Sequence, residues 1–221
     1  ISSAYPWAWT QNKNSAADYI NAYRRVANIY IAALGSRVKI TWNTLRKSGN
    51  VAPVFPGRRG VGGGVVDLVT LDCYDNGYDN SYFTNNKAAG VTAWINGKYN
   101  GDAGWDGIKP CMQWAVERGM KFGVQEWAPS RKRNLASPSS PEYLNPADRN
   151  PNNRWYMEGM RDFFAANAAN LEFEIEFNQI LEDHLIHPES AFLPQPSRAY
   201  RGLWRKNPLS RPSGENPWPA P

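Results

Sequence analysis

The segment Lys121-Phe-Gly-Val-Gln-Glu-Trp127 is a short apolar run that ends in a carboxylate followed directly by a tryptophan. A charged side chain at the end of a buried strand costs free energy unless it has a partner or a chemical role. At the carboxyl end of a strand in a β/α barrel, Glu126 would lie on the catalytic face. Trp127 beside it suggests sugar chemistry, because sugar rings stack on flat aromatic side chains.

Helical and strand patterns alternate along the rest of the chain. Hydrophobic spacing predicts helices over 15–34, 105–118 and 154–167, with shorter helices near 85–89 and 198–204. Apolar runs predict strands over 38–42, 65–71, 121–126 and 171–177. The run 171–177 alternates strictly, with glutamates at 172, 174 and 176. This order predicts βαβ units and a parallel sheet.

The connections also differ in length, since long loops follow the strands and short ones follow the helices. That asymmetry is typical of a TIM barrel. The four predicted strands, however, are only half of the eight that a closed barrel requires. The predicted fold is therefore α/β, of the (β/α)8 TIM-barrel type, with this chain as about the second half; an open α/β sheet is the alternative. We expect one domain over 1–221, with an irregular Pro-rich tail over 205–221.

Composition narrows the function classes. Of 221 residues, 42% are hydrophobic, which indicates a globular chain, and no run is long enough to cross a bilayer. The net charge is +5, but the basic residues are scattered along the chain apart from the cluster Arg131-Lys132-Arg133. We therefore expect no nucleic-acid partner, and no membrane partner either. Ten Trp and eleven Tyr, many of them in predicted loops, favour ligand stacking for about half of the tryptophans.

No metal or cofactor is expected. Cys73 and Cys111 are predicted as two buried thiols, with one disulfide as the alternative. The two histidines, His184 and His187, have no ligand partners at metal-binding spacing. No phosphate-binding loop follows a predicted strand. Residues 1–5 have neither the basic start of a signal peptide nor an initiator Met, so we expect a processed, trimmed or partial chain.

The strand ends leave carboxylates as the candidate catalytic groups. Glycoside hydrolysis uses two, and Glu126 can be one of them; the alternative for Glu126 is an ion pair with Arg131 or Lys121. Asp72 is a second candidate, or else a cap of the loop after its strand. A Tyr74 hydroxyl aimed at Glu126 would favour the ionised carboxylate, although a packing role for Tyr74 is equally expected.

These residues resemble the later half of glycoside hydrolase family 26, the retaining β-mannanase-like enzymes. The resemblance extends to about Trp204 and lies in the order and spacing of five motifs: Tyr5-Pro-Trp-Ala-Trp9 with Ala22-Tyr-Arg-Arg-Val26, Lys39-Ile-Thr-Trp-Asn43, Val66-Asp-Leu-Val-Thr-Leu-Asp-Cys-Tyr74, Gly123-Val-Gln-Glu-Trp127 and Glu174-Ile-Glu-Phe-Asn178.

The resemblance implies a nucleophile at Glu126, a neighbouring Tyr74 and a sugar-lining aromatic cluster at Tyr5, Trp7 and Trp9. The family's acid/base Glu would precede Ile1. We therefore expect a secreted or extracytoplasmic glycosidase acting on a β-linked polysaccharide such as mannan or an exopolysaccharide. Trp127 and Asp72 would help to bind this substrate. A second polypeptide or N-terminal fragment would complete the barrel.

Two other readings stay open. The chain could be a non-catalytic carbohydrate-binding or structural half-barrel. A weaker alternative is an α/β protein that binds an anionic ligand through Arg58, Arg59 and Arg131.

Overall fold

A computed structural model describes residues 15–75, 87–129, 154–177 and 194–204. Its helices are α1 (Ala16–Leu34), α2 (Lys87–Asn96), α3 (Ile108–Glu117), α4 (Arg154–Ala166) and α5 (Pro194–Leu203). Its strands are β1 (Thr41–Leu45), β2 (Lys47–Gly49), β3 (Leu68–Asp75), β4 (Lys98–Tyr99), β5 (Gly104–Asp106), β6 (Lys121–Pro129) and β7 (Leu171–Glu176). The predicted alternation of helices and strands is confirmed.

The main sheet is parallel and has the order β1-β3-β6-β7. Thr41 of β1 lies opposite Leu68 of β3, and Phe122 of β6 lies opposite Leu171 of β7. Consecutive long strands of the chain are therefore neighbours in the sheet, although β1 is connected to β3 without an α-helix. Their carboxyl ends meet at one edge, which positions the candidate site.

Helix α1 begins where the sequence predicts. The Ser15 hydroxyl accepts from the Asp18 N–H over 3.1 Å, and the Asp18 carboxylate accepts from the Ser15 N–H over 3.0 Å. This reciprocal capping box satisfies two backbone donors at the helix start. Gly35, with φ of 60°, follows the last helical residue and adopts a conformation that side chains disfavour.

A second, three-stranded antiparallel sheet of order β2-β5-β4 was not predicted. Its strands are two or three residues long and lie where a loop and the start of a helix were expected, so hydrophobic periodicity could not reveal them. Gly97 and Gly104 permit its close backbone approach. A Cβ on Gly97 would fall 1.4 Å from the Asp106 carbonyl oxygen, and one on Gly104 would fall 2.0 Å from the Ser48 carbonyl oxygen.

Aromatic side chains fill the core between the small sheet and α3. Trp114 is fully buried, with its ring centroid 5.6 Å from both Trp42 and Trp105 and 5.0 Å from Phe55. Such tilted and edge-on pairs add to the free energy gained from burial. Trp105 is thus one of the core tryptophans.

Two of the predicted strands are displaced. The strand expected over 38–42 lies at 41–45, and the one expected over 65–71 lies at 68–75. In both cases the strand continues through polar residues (Asn43 and Thr44 in β1, Asp72 in β3) beyond the run that marked it. The prediction of two buried thiols is confirmed, because Cys73 and Cys111 are both free and buried.

The chain forms two compact units. The first comprises 1–73, 93–127 and 167–176, and the second comprises 74–92, 128–166 and 177–221. Within the described part of the first unit lie β1, the small sheet, α3 and β7. Within the described part of the second lie α4 and α5. Among the described residues, no helix is long and apolar enough to span a membrane.

Candidate functional site

A bulge in β6 sets the direction of Glu126. Val124 lies opposite Glu174 and Trp127 lies opposite Glu176. An interval of three residues on β6 is therefore paired with an interval of two residues on β7. An extra residue in a strand interrupts the alternation of side chains and redirects them. Val124 and Trp127 are both fully buried, whereas Gln125 and Glu126 between them are only half-buried. The bulge therefore turns two consecutive polar side chains away from the core.

Polar side chains of three neighbouring strands form a connected network on this face of the sheet. The Thr70 hydroxyl lies 3.1 Å from Asn43 Oδ1 and 3.1 Å from Gln125 Oε1, and it can donate its single proton to one of them at a time. Thr41 Oγ1 lies 3.5 Å from the same Gln125 oxygen. We call Thr41, Asn43, Thr70 and Gln125, together with Asp72 and Glu126, the polar face.

Asp72 lies at the centre of the polar face. Asn43 Nδ2 donates to its Oδ2 over 2.8 Å, while its buried Oδ1 has no hydrogen-bond partner among the described residues. Burial raises the pKa of Asp72 to about 6, the Asn43 bond opposes that shift, and the charge of Glu126 adds to it. Asp72 can therefore hold a proton in mildly acidic solution.

The influence of Glu126 on Asp72 places both carboxyls in one electrostatic environment. Neighbouring carboxyls disfavour double ionisation, so one proton is retained more tightly. The two groups come from adjacent strands, Asp72 from β3 and Glu126 from β6. The two carboxylates that the sequence singled out therefore lie on neighbouring strands of the sheet.

Trp127 occupies a different place from the one predicted for a sugar-stacking ring. Its side chain is fully buried, and its indole N–H donates to the Glu174 carboxylate. A buried ring offers no face to a ligand, which argues against stacking. The bond to Glu174 instead ties β6 to β7 directly beside the bulge.

Glu176, two residues beyond Glu174, is half-buried and has one carboxyl oxygen that is shielded from solvent and without a hydrogen-bond partner among the described residues. Burial raises its pKa to about 8, and the nearby Glu174 charge adds to the shift. Glu176 is therefore mostly protonated at neutral pH. The alternation in the sequence placed Glu176 on one strand face with Glu172 and Glu174, and it did not indicate this partial burial.

The other predicted site residues are only partly described. Tyr74 packs edge-on against Phe177 with ring centroids 5.9 Å apart, which matches the packing alternative, while its predicted hydrogen bond to Glu126 stays a prediction. Tyr5, Trp7 and Trp9 lie outside the described residues, as do Asp75's side chain, Arg131 and the 205–221 tail.

Sequence reasoning missed Thr41, Thr70 and Gln125 as members of the site. The signal was present, because Thr41 and Asn43, Thr70 and Asp72, and Gly123 and Gln125 are small or polar residues two apart in strands. Period-two polarity inside buried strands marks a polar interior face. Among the described residues, no cluster of His, Cys, Asp and Glu could hold a metal ion.

Comparisons with known proteins give a likeness of fold. No protein-family model matches the chain, and no curated protein sequence does. The crystal structure of an engineered protein matches 92% of this chain and 38% of its own length, at 16% identity and a TM-score of 0.50. At this identity the match supports the α/β architecture alone.

Two further solved structures are described as family 26 mannanases. A modular endo-β-1,4-mannanase from Cellulomonas fimi is 18% identical over 89% of this chain and 38% of its own, with a TM-score of 0.49. A catalytic domain of a Bacillus sp. endo-β-1,4-mannanase is 14% identical over 87% of this chain and 46% of its own, with a TM-score of 0.45. The chain spans less than half the length of all three structures.

Proposed function

We propose that this chain carries the nucleophile of a retaining glycoside hydrolase, with Glu126 attacking the anomeric carbon of a β-linked polysaccharide. The observation that supports the proposal is the placement of Glu126 on β6, next to the strand β3 that carries Asp72, where the charge of Glu126 contributes to the raised pKa of Asp72. The motif resemblance to family 26 in order and spacing supports the same role for Glu126. This enzyme would act outside the cytoplasm, where polysaccharides occur.

The surroundings of Glu126 suit covalent catalysis. A nucleophilic carboxylate must be held in place beside the sugar, and the bulge supported by Trp127 and Glu174 gives it a fixed backbone. Asn43, Thr70 and Gln125 offer amide and hydroxyl groups, which are the partners that sugar hydroxyls take up.

Asp72 has a separate role in this scheme. Its partly protonated carboxyl can donate to a sugar oxygen or accept from a sugar hydroxyl, depending on pH. We assign it to substrate binding beside the nucleophile. The acid/base glutamate of the retaining reaction would come from a segment outside this chain, about 5–5.5 Å from Glu126.

A non-catalytic carbohydrate-binding protein is the second candidate. It is favoured by the amide and hydroxyl groups of Asn43, Thr70 and Gln125, which can bind sugar hydroxyls without any catalytic step. A polar face without its acid would still bind sugars. The two candidates differ in turnover, because both bind glycans and only the first cleaves them.

Hydrolysis of β-mannan and other β-linked polysaccharides by the chain, with any co-purifying polypeptide retained, tests the proposal. Glu126→Gln should lower the rate by about 10³-fold or more and leave glycan binding within about threefold, because the amide keeps the shape and loses the nucleophile. Glu158→Gln on α4 is the matched control and should keep full activity. Glycan binding with no cleavage in the unsubstituted protein would support the second candidate.

A further inference from the structure

Within the part of the chain that the structure describes, three Asn-Gly or Asp-Gly pairs lie in or beside the small antiparallel sheet: Asn96-Gly97, Asn100-Gly101 and Asp106-Gly107. Such pairs can react with themselves, because glycine has no side chain to hinder the approach of its backbone nitrogen to the preceding side chain. In a folded chain the reaction also requires that this nitrogen is free to move. The hydrogen bonds of the three glycines therefore rank the three pairs.

Two of the pairs are held in place. The Gly97 N–H donates to the Ala93 carbonyl over 2.8 Å at the end of α2, and a Cβ on Gly97 would fall 1.4 Å from the Asp106 carbonyl oxygen. The Gly107 N–H donates to the Arg46 carbonyl over 2.9 Å, and the Arg46 guanidinium binds the Asp106 carboxylate over 2.6 Å. In both pairs the backbone nitrogen must lose a hydrogen bond before it can attack.

The third pair, Asn100-Gly101, lies in the turn between β4 and β5 and is not held in this way. Asn100 is exposed, and its carboxamide makes no hydrogen bond to another described residue. The Gly101 N–H also has no acceptor among the described residues. A Cβ on Gly101 would meet no heavy atom within 4 Å. The attacking nitrogen and the carboxamide are therefore both free to approach each other.

We propose that Asn100 is a site of spontaneous deamidation. The Gly101 nitrogen gives its proton to the solvent and forms a bond to Asn100 Cγ. The bond from Cγ to Nδ2 breaks, and the amide nitrogen takes up a proton from the solvent and leaves as ammonia. Water then opens the five-membered imide ring at either carbonyl, which yields aspartate or isoaspartate. The proposal does not rest on the catalytic role of Glu126.

The product should loosen the turn that contains it. The Asn100 N–H donates to the Gly104 carbonyl over 3.0 Å, and the Ala103 N–H donates to the Asn100 carbonyl over 3.2 Å. In isoaspartate the main chain runs through Cβ and Cγ, so the turn becomes one carbon longer and that carbonyl leaves the main chain. Either product also adds a negative charge two residues before Asp102, whose carboxylate is ion-paired with Arg118, and like charges repel.

Tryptic mapping of the full 221-residue chain after storage in mildly alkaline buffer tests the proposal. Asn96 and Asn100 fall in separate peptides, 88–98 and 99–118, and Asn76-Gly77, which lies outside the described residues, falls in a third. The peptide 99–118 should convert from amide to acid about tenfold faster than 88–98, which is the protection that one backbone hydrogen bond provides. In urea the two peptides should convert at similar rates, because neither glycine is then held.

Two matched variants locate the reaction. N100Q should abolish the conversion of 99–118, because glutamine would have to close a six-membered ring, which forms far more slowly. N96Q should leave the conversion of 99–118 unchanged. The isoaspartate form, separated by ion exchange, should have a lower thermal midpoint than the unmodified chain.

Three results would overturn the proposal: equal conversion of the two peptides in the folded chain, no conversion of 99–118, or conversion of 99–118 that survives N100Q. An isoaspartate form with an unchanged thermal midpoint would overturn the loosening of the turn.

Discussion

Asn43 Nδ2 donates to Asp72 Oδ2 over 2.8 Å and so joins β1 to its neighbour β3. This bond supports the ionised form of a carboxyl that burial and the charge of Glu126 drive toward its protonated form. The protonation of Asp72 is therefore set by a balance of named contacts, and each contact can be removed separately.

Removing the amide donor should raise the pKa of Asp72 further. In Asn43→Ala, the carboxylate loses the bond that lowers its pKa, while burial and the Glu126 charge remain. Carboxyl-carbon NMR titration of Asp72 should place its midpoint above about 6. A midpoint that does not move would mean that Asn43 does not control this carboxyl.

Asp72 should also make stability depend on pH. Its folded pKa of about 6 lies above the 3.8 of an unperturbed Asp, so the folded state binds the proton more tightly. The stabilisation is complete below 3.8 and is lost as the pH rises through about 6. Asp72→Asn should raise the free energy of unfolding by about 1–2 kcal/mol more at pH 7 than at pH 4. This value is reduced because solvent partly screens the carboxyl. Urea unfolding at both pH values measures this, and an equal effect at both would contradict it.

Glu176 should also make the stability of the fold decrease as the pH rises, over a higher pH range than Asp72. Its pKa of about 8 exceeds the usual 4.5, so its contribution to stability is present below 4.5 and is lost as the pH rises through about 8. Glu176→Gln should raise the thermal midpoint at pH 9 more than at pH 5. The matched substitution Glu172→Gln, on the same strand and ion-paired with Lys39, should not reproduce this pH-dependent gain.

The bond from Trp127 to Glu174 should contribute measurably to stability. Trp127→Phe leaves a small cavity and removes the indole donor from the Glu174 carboxylate, and should cost about 2–3 kcal/mol. In a double-mutant cycle with Glu174→Gln, the coupling should be about 1 kcal/mol or more. Additive effects within about 0.3 kcal/mol would show that the two side chains are independent.

The sequence predicted the helices well, because α1, α3 and α4 have apolar residues at helical spacing and α1 has its Ser15 cap. The strand limits were less visible, since Asn43 and Asp72 are polar residues within strands and extend no apolar run. The bulge at Gln125 and Glu126 could not be predicted, because it depends on the register against β7. The burial of Trp127 likewise follows from that register and not from its neighbours in the chain.

A covalent glycosyl adduct on Glu126 tests the central claim most directly. An activated 2-deoxy-2-fluoro-β-glycoside has a leaving group that departs without protonation by a general acid. The nucleophile of this chain can therefore be tested in the absence of the segment that would supply the acid/base glutamate. We predict that intact mass rises by one fluoroglycosyl group, that peptide mapping places it on Glu126, and that Glu126→Gln takes up none. Labelling of another carboxylate, or no labelling of a protein that still binds the glycan, would contradict the account.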